Sequence, residues 1–211
     1  MTRRSLASMY LPSHSVVEDE DQVRAFVAAV GSASLVTVGD DGVPDATTLP
    51  VLWEGDRVTC HLARNNEQWQ RISAGAPGLL VVRGPEGYVS PSWYASKAEH
   101  GRVVPTWNFT EVQLRGPVTV HDDPEWVLGM VTRLTEAHER DREQPWAVSD
   151  APDKFVRTRL RAIVGVELTV ADVQAKAKLS RDKSEEDQAG VLAGMPPGPL
   201  HEVQGSGGLL P

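Results

Sequence analysis

Hydrophobic residues recur at helical spacing near the start of the chain. Apolar side chains follow an i, i+3, i+4, i+7 pattern at Val23, Phe26, Val27 and Val30. The acidic residues 18–21 precede this pattern, where they complement the positive end of a helix dipole. The spacing therefore predicts an amphipathic helix, which Gly31 closes.

Alternating apolar positions separated by turn residues predict short strands along most of the remaining chain. The expected strands cover residues 34–38, 47–53, 57–62, 79–82, 87–89, 103–109, 112–120 and 162–170. Further helices are expected over residues 154–161 and after the N-caps Asn65, Asp123 and Ser184. The helix after Asp123 is expected to bury Trp126, Met130 and Leu134. This pattern favours an α+β domain built on an antiparallel, closed or nearly closed barrel.

Composition limits the classes of protein to consider. The chain of 211 residues is long enough for one sizeable core, and no apolar run could span a bilayer. The first residues carry two arginines without the apolar region of a secretory signal, so a cytoplasmic protein is expected. A net charge of -8 weakens direct DNA binding. The Pro- and Gly-rich residues 196–211 are expected to form a flexible tail.

Candidate chemistry concentrates in segments 60–69, 88–97, 103–109 and 176–191, which combine aromatic and basic residues. Aromatic walls with convergent cations suit a flat, anionic cofactor. Each feature also has a structural interpretation: a lone histidine such as His61 is more often a core residue, and Lys176 and Lys178 fit a solvated strand face. The only cysteine, Cys60, neighbours His61 in a strand, so the two side chains are expected to point to opposite faces.

Several common catalytic motifs are missing from the sequence. There is no glycine-rich phosphate loop, no GxSxG nucleophile elbow and no HExxH zinc helix. The adjacent acids at residues 122–123 and 185–186 fall at expected helix starts, where the helix dipole explains them.

Sequence blocks along almost the whole chain, from Met9 to Met195, resemble the PaiB family of FMN-binding negative transcriptional regulators. The blocks are MYLPSH (9–14), HLARNNEQW (61–69), residues 84–109, PWAVSDAP (145–152) and AIVGVEL (162–168). The resemblance implies a flavin-reductase-like split β-barrel with peripheral helices over residues 9–195, usually as a homodimer. It also implies that residues 1–8 extend beyond the family's usual start.

Two positions depart from the family pattern. Thr48 stands where the family has a histidine before Leu-Pro, and Ala177 stands where the family has a tryptophan, in the block 175–182. These departures favour one branch of the PaiB-like group, the piperazate synthases, which use haem b rather than FMN. That branch closes a nitrogen–nitrogen bond in hydroxyornithine to give piperazic acid.

The piperazate synthase resemblance implies roles for particular residues. His61 would be the axial iron ligand, Arg64 and Lys97 would pair with haem propionates or the substrate carboxylate, and Trp93 and Trp107 would form pocket walls. The sequence does not name a general base. Two alternatives stay open: an FMN-binding PaiB-type regulator or flavin-dependent oxidoreductase, and a cofactor-free interaction module.

Overall fold

A computed structural model describes residues 9–210, so the expected N-terminal extension at residues 1–8 lies outside the described chain. The strands are β1 (Ser32–Val38), β2 (Pro44–Pro50), β3 (Leu52–Glu54), β4 (Arg57–Ala63), β5 (Pro77–Val89), β6 (Thr106–His121), β7 (Ile163–Thr169) and β8 (Asp172–Lys178). The α-helices are α1 (Glu20–Val30), α2 (Ser96–His100), α3 (Pro124–Glu139), α4 (Asp153–Leu160), α5 (Glu185–Gly194) and α6 (Pro199–Ser206). Short 3-10 helices cover Ser13–Ser15, Glu67–Arg71, Pro91–Trp93 and Val148–Asp150.

The strands form a sheet with the order β2-β1-β5-β6-β7-β4-β3, and β8 pairs with β6. The pairs β1–β2, β1–β5, β3–β4, β4–β7 and β6–β7 are antiparallel. Within the described residues the strand path ends at β2 and β3, so the sheet is open. The expected α+β class, an antiparallel sheet with peripheral helices, is confirmed.

The chain divides into two compact units. The first unit comprises residues 9–26, 83–112 and 174–210 of the described chain, and the second comprises Val27–Val82 and Gln113–Val173. No helix within residues 9–210 combines the length and the apolar composition needed to cross a membrane.

Helix α1 follows the predicted pattern. Its apolar residues Val23, Phe26 and Val27 are buried, and Asp19 Oδ1 accepts a hydrogen bond from the Gln22 N–H at 3.1 Å near its start. The helix ends at Gly31, whose φ of 65° lies in the left-handed region that glycine adopts readily.

Two of the predicted strand boundaries are wrong because tertiary pairing continues through the expected breaks. The runs 79–82 and 87–89 belong to one strand, β5, and the runs 103–109 and 112–120 largely merge into β6. Gly116 lies within β6, where a Cβ would overlap the Thr169 carbonyl, so glycine permits a close backbone approach.

Two other elements differ from expectation. The helix expected after Asn65 is a short 3-10 helix whose N-cap is Asn66, the Oδ1 of which accepts the Gln68 N–H at 3.0 Å. The run expected at 47–53 divides at Val51, because its N–H leaves the ladder and donates to the Gly31 carbonyl at 3.0 Å.

The segment expected as a flexible tail contains helix α6. Val203 and Leu209 are fully buried, and Gln204 Nε2 donates to the Leu179 carbonyl at 2.7 Å. Pro199 stands in the first turn of the helix, where its missing N–H costs nothing. Composition predicted disorder because the few apolar side chains that anchor the segment are scattered among Pro, Gly and Ser.

Candidate functional site

His61 lies on the face of β4 that α3 covers, in the second unit. It is half-buried and pairs in register with Gly165 of β7, which in turn pairs with His121 of β6. Its Nδ1 is buried and has no hydrogen-bond partner among the described residues. Burial lowers the pKa of His61 below its ordinary value, so the imidazole is neutral at neutral pH. A neutral imidazole is the protonation state that metal coordination requires.

Trp126 of α3 covers the middle of this row. Its indole stacks on the His121 ring with a centroid separation of 3.8 Å, and a Cβ at Gly165 would overlap it. Trp126 is therefore half-buried against the sheet, whereas Met130 and Leu134 of the same helix are fully packed. The glycine makes room for the indole.

Charged residues adjoin the row on the same sheet face. Glu167 accepts hydrogen bonds from Arg57 Nη1 at 3.1 and 3.2 Å, and its Oε1 lies 4.0 Å from His121 Nε2. Burial lowers the pKa of His121, opposed by the negative charge of Glu167. The described residues contain no group of three His, Cys, Asp or Glu side chains placed to hold a metal ion by themselves.

Cys60 points away from His61, as the strand alternation predicts. It is fully buried, and burial raises the pKa of its thiol to about 12. The thiol is therefore protonated and inert at neutral pH, which removes it as a nucleophile.

Arg64 holds the end of β4 in place. Its guanidinium forms an ion pair with Asp122 and donates to the carbonyls of Arg161 at 2.8 Å and Ile163 at 3.3 Å. The guanidinium also lies 5.8 Å from the centroid of Trp69, whose Nε1 donates back to the Arg64 carbonyl at 2.9 Å. These contacts give Arg64 a structural role; its pairing with a cofactor stays a prediction.

Gln68 and Asn66 complete this corner. Gln68 is buried, accepts from the Thr47 hydroxyl at 2.6 Å and donates to the Leu35 carbonyl at 3.2 Å. Asn66 Nδ2 donates to the same Thr47 hydroxyl at 2.9 Å. The HLARNNEQW block thus joins β4 to strands β1 and β2, and the specific residues of the block are largely explained by these bonds.

Trp93 and Lys97 lie in the first unit. Trp93 packs against a cluster that includes Tyr94 and Val191, and Cβ atoms at Gly190 and Gly194 of α5 would overlap it. Lys97 is exposed, and its Nζ donates to the Ser92 hydroxyl at 3.0 Å. The lysine retains unused donors, so an anionic group could bind to it.

Trp107 lies on β6 in the first unit with 49% of its surface exposed. It borders a shallow cavity of about 350 Å³ with Arg83 and Phe109. Of the five residues predicted from the sequence, His61 and Arg64 belong to the second unit, and Trp93, Lys97 and Trp107 to the first.

A second cavity of the first unit, of about 330 Å³, is lined by lysines. Lys176 is buried, with 7% of its surface exposed, and its Nζ donates to the Tyr10 carbonyl at 2.6 Å. Lys178 Nζ donates to the Trp107 carbonyl at 2.6 Å and to the Thr106 hydroxyl. The expectation of a solvated face is wrong for Lys176. Strand alternation could have placed the two lysines on one face but could not show what covers them.

Two sequence comparisons show the family to which the chain belongs. Residues 9–172 match the family described as "Putative FMN-binding domain". The chain is also 31% identical over 188 residues to the "Protease synthase and sporulation protein PAI 2" of Bacillus subtilis, spanning 87% of each protein. The chain belongs to this FMN-binding domain family. The PaiB-like resemblance seen in the sequence is therefore confirmed, and FMN is one of the two cofactors expected from it.

Solved structures share the fold of this FMN-binding domain family member at low sequence identity. The FAD and Heme binding protein from Mycobacterium smegmatis aligns with a TM-score of 0.58 at 20% identity, over 85% of this chain and 80% of that one. The flavocytochrome Anf3 from Azotobacter vinelandii aligns with a TM-score of 0.56 at 21% identity, over 82% and 74% of the two chains. These similarities confirm the split-barrel fold.

The two departures from the PaiB pattern lie away from the lysine-lined cavity. Ala177 is fully buried on the β8 face opposite Lys176 and Lys178, because successive strand residues alternate. Thr48 is exposed on β2, where its hydroxyl lies 3.2 Å from that of Ser34. Ala177 thus belongs to the core and does not line the cavity.

Proposed function

We propose that the protein is a haem b-dependent enzyme that forms an intramolecular nitrogen–nitrogen bond, converting N-hydroxyornithine to piperazic acid. The observation that carries the proposal is the state of His61: a neutral, half-buried imidazole whose Nδ1 has no partner among the described residues. Four other polar residues of its sequence block have structural partners: Arg64, Asn66, Gln68 and Trp69. These bonds explain those residues by local structure, whereas they do not involve His61.

The described residues fit a haem in part. His61 would supply a nitrogen ligand in the correct protonation state. Lys97, in the first unit, has ammonium donors left for an anionic group, and its pairing with a propionate or a substrate carboxylate stays a prediction. Trp107 offers an exposed aromatic face, whereas Trp93 is engaged with α5 and Arg64 with Asp122. Axial ligation through His61 is therefore the strongest of the proposed roles.

The proposed reaction balances without an external oxidant or reductant. The nitrogen–oxygen bond of the hydroxylamine breaks, a bond forms between that nitrogen and the α-amine nitrogen, and the amine proton leaves with the hydroxide as water. A bound haem would supply a Lewis-acidic iron that polarises the hydroxylamine oxygen. The protein would hold the iron through His61 and the substrate carboxylate through a cation.

Shared architecture supports a haem or flavin assignment. The Mycobacterium smegmatis protein of matching fold is named as an FAD and haem binding protein. The Azotobacter vinelandii protein is named as a flavocytochrome. Their sequence identities of 20% and 21% limit this support to the fold.

A turnover assay tests the enzyme proposal. The purified protein, loaded with haem, is incubated with N5-hydroxyornithine, and mass spectrometry follows a product that has lost one water. We expect piperazic acid from the wild type, none from His61→Ala, and wild-type turnover from the matched His201→Ala variant. Imidazole added to His61→Gly should partly restore the reaction. Turnover by His61→Ala at the wild-type rate would exclude His61 as the ligand.

The second candidate is an FMN-binding regulator of the PaiB type. Family membership and the 31% identity to PAI 2 favour it. The net charge of -8 argues against direct contact with DNA, so such a regulator would engage a DNA-binding partner. A bound flavin, no product from hydroxyornithine and a gel shift in a mixture with that partner would support this alternative over the enzyme.

We also propose that the protein forms a homodimer. Exposed side chains of the first unit support this: Tyr88 is 53% exposed and Trp107 is 49% exposed. Large exposed aromatic groups are a common feature of subunit interfaces. The other proposed partner is a small amino-acid substrate.

A further inference from the structure

The lysine-lined cavity of the first unit contains positive charges without a carboxylate partner. Lys176 Nζ donates to a backbone carbonyl and lies 5.2 Å from the Tyr10 ring centroid and 5.5 Å from the Phe109 ring centroid. The partners of Lys178 Nζ are a hydroxyl and a carbonyl. Neither ammonium forms an ion pair among the described residues. Charged groups removed from water are normally paired, so this arrangement favours an anionic occupant.

The nearby charges strengthen this conclusion. Lys183 also lines the cavity, and its Nζ pairs with Asp182 at 2.9 Å. The cavity thus holds three lysines against one carboxylate, with His14 as a further titratable group on its wall. Burial lowers the pKa of Lys178, and the charges of Lys176 and Lys183 act in the same direction, whereas Asp182 opposes them.

Tyr94 supplies an independent observation. The side chain lines the same cavity and is 4% exposed, and its hydroxyl has no hydrogen-bond partner among the described residues. An unmade hydrogen bond from a buried hydroxyl is costly, and an anionic oxygen in the cavity would accept it. Lysine donors and a phenol donor together suit a carboxylate or phosphate oxygen.

The backbone beside the cavity is strained in a way that fits a binding site. Ser180, which lines the cavity after β8, has a φ of 58°, in the region that residues other than glycine rarely adopt. Its hydroxyl accepts from Asn108 Nδ2 at 3.0 Å, and both residues are buried. Such strain persists where the surrounding structure holds it, commonly at ligand sites.

We propose that this cavity is a binding site for a small oxyanion, the carboxylate or phosphate group of a ligand, held by Lys176, Lys178 and the Tyr94 hydroxyl. The site is built entirely from the first unit and does not rest on the identity of the cofactor or on the ligation of His61. Its volume of about 330 Å³ is at the lower end of the range for small-molecule pockets, which suits a metabolite rather than a polymer.

Calorimetric titration of the purified full-length protein with inorganic phosphate, and separately with acetate, tests this proposal. Sodium chloride at matched ionic strength measures simple screening. We expect saturable binding of at least one anion, weakened about tenfold or more in Lys178→Met and Lys176→Met and about three- to tenfold in Tyr94→Phe. Lys154→Met, which removes an exposed lysine of α4, should bind as the wild type does. The tighter of the two anions identifies the ligand group.

A stability measurement separates loss of binding from loss of folding. Without an anion, Lys178→Met should raise the melting temperature because it removes an unpaired, partly buried charge. Saturating anion should stabilise the wild type more than this variant. An anion effect no larger than that of chloride, or equal affinity in Lys178→Met and the wild type, would overturn the proposal.

Discussion

Most polar side chains of the HLARNNEQW block hold the backbone in place, and His61 differs from them. Arg64, Asn66, Gln68 and Trp69 each bond to a neighbouring strand or loop, whereas the Nδ1 of His61 has no partner among the described residues. This difference matters because Arg64 and Trp69, close together in the sequence, had suggested a ligand-binding site. Their spacing instead reflects the geometry of a strand end, and the functional interpretation depends on the histidine.

The ion pair between Arg64 and Asp122 predicts a pH-dependent contribution to stability. The hydrogen bond from Arg64 lowers the pKa of Asp122, so the contribution is present above the ordinary aspartate pKa and disappears as pH falls through the lowered value. Asp122→Asn should lower the free energy of unfolding by about 0.2–1 kcal/mol at pH 7, a small value because both side chains are exposed.

Urea unfolding at pH 7 and at pH 3 measures this contribution. The difference between the wild type and Asp122→Asn should shrink at the lower pH. Asp141→Asn, which alters an exposed acid, serves as the control and should leave stability unchanged at both pH values. A difference that grows on acidification would contradict the assigned direction.

Elements of the fold were predictable where local signals and tertiary contacts agree. Helix α1 has apolar periodicity, an acidic start and a closing glycine, and the structure retains all three. The full lengths of β5 and β6 were not predictable, because the apolar alternation lapses at residues 83–86 and 110–111 and only the partner strands reveal that pairing continues. The same holds for the candidate site residues. The alternation of side chains along a strand correctly placed Cys60 and His61 on opposite faces. The burial of Lys176 and Tyr94 was not predictable, because it depends on segments distant in sequence.

Packing between α3 and β7 makes Gly165 intolerant of a side chain. Gly165→Ala would place a Cβ into the Trp126 ring, and we expect a loss of about 1–3 kcal/mol in the free energy of unfolding. The near-ultraviolet circular dichroism of tryptophan should change with it. Gly129→Ala in α3 meets only Arg133 Nη1 at 3.5 Å and should instead stabilise by roughly 0.5–1 kcal/mol. Equal effects of the two variants would refute the packing described.

The C-terminal segment gives a second test at this scale. Leu209 is fully buried, so Leu209→Ala should cost about 2–5 kcal/mol of unfolding free energy, measured by urea denaturation. Leu210→Ala alters a partly exposed neighbour and should cost much less. If both variants match the wild type, the segment after α5 does not pack as described.

At the scale of the whole molecule, family membership is the observation that bears on a cofactor. Residues 9–172 match the family described as "Putative FMN-binding domain". The proposed homodimer and the proposed haem are both open to direct measurement.

Subunit association is tested by light scattering after size exclusion. We expect a mass of twice the 22.9 kDa of one chain. Trp107→Glu should yield monomer, because a charge in an aromatic interface opposes burial. Trp146→Glu alters a tryptophan of similar exposure, 48%, in the second unit and should leave the dimer intact. A wild-type protein that elutes as monomer would reject the dimer.

The absorption spectrum of the protein, expressed with both a haem precursor and riboflavin, shows whether it binds haem through His61. We expect a Soret band that shifts on reduction, disappears in His61→Ala and persists in His201→Ala. A flavin spectrum without a Soret band, or a Soret band unchanged in His61→Ala, would contradict this expectation.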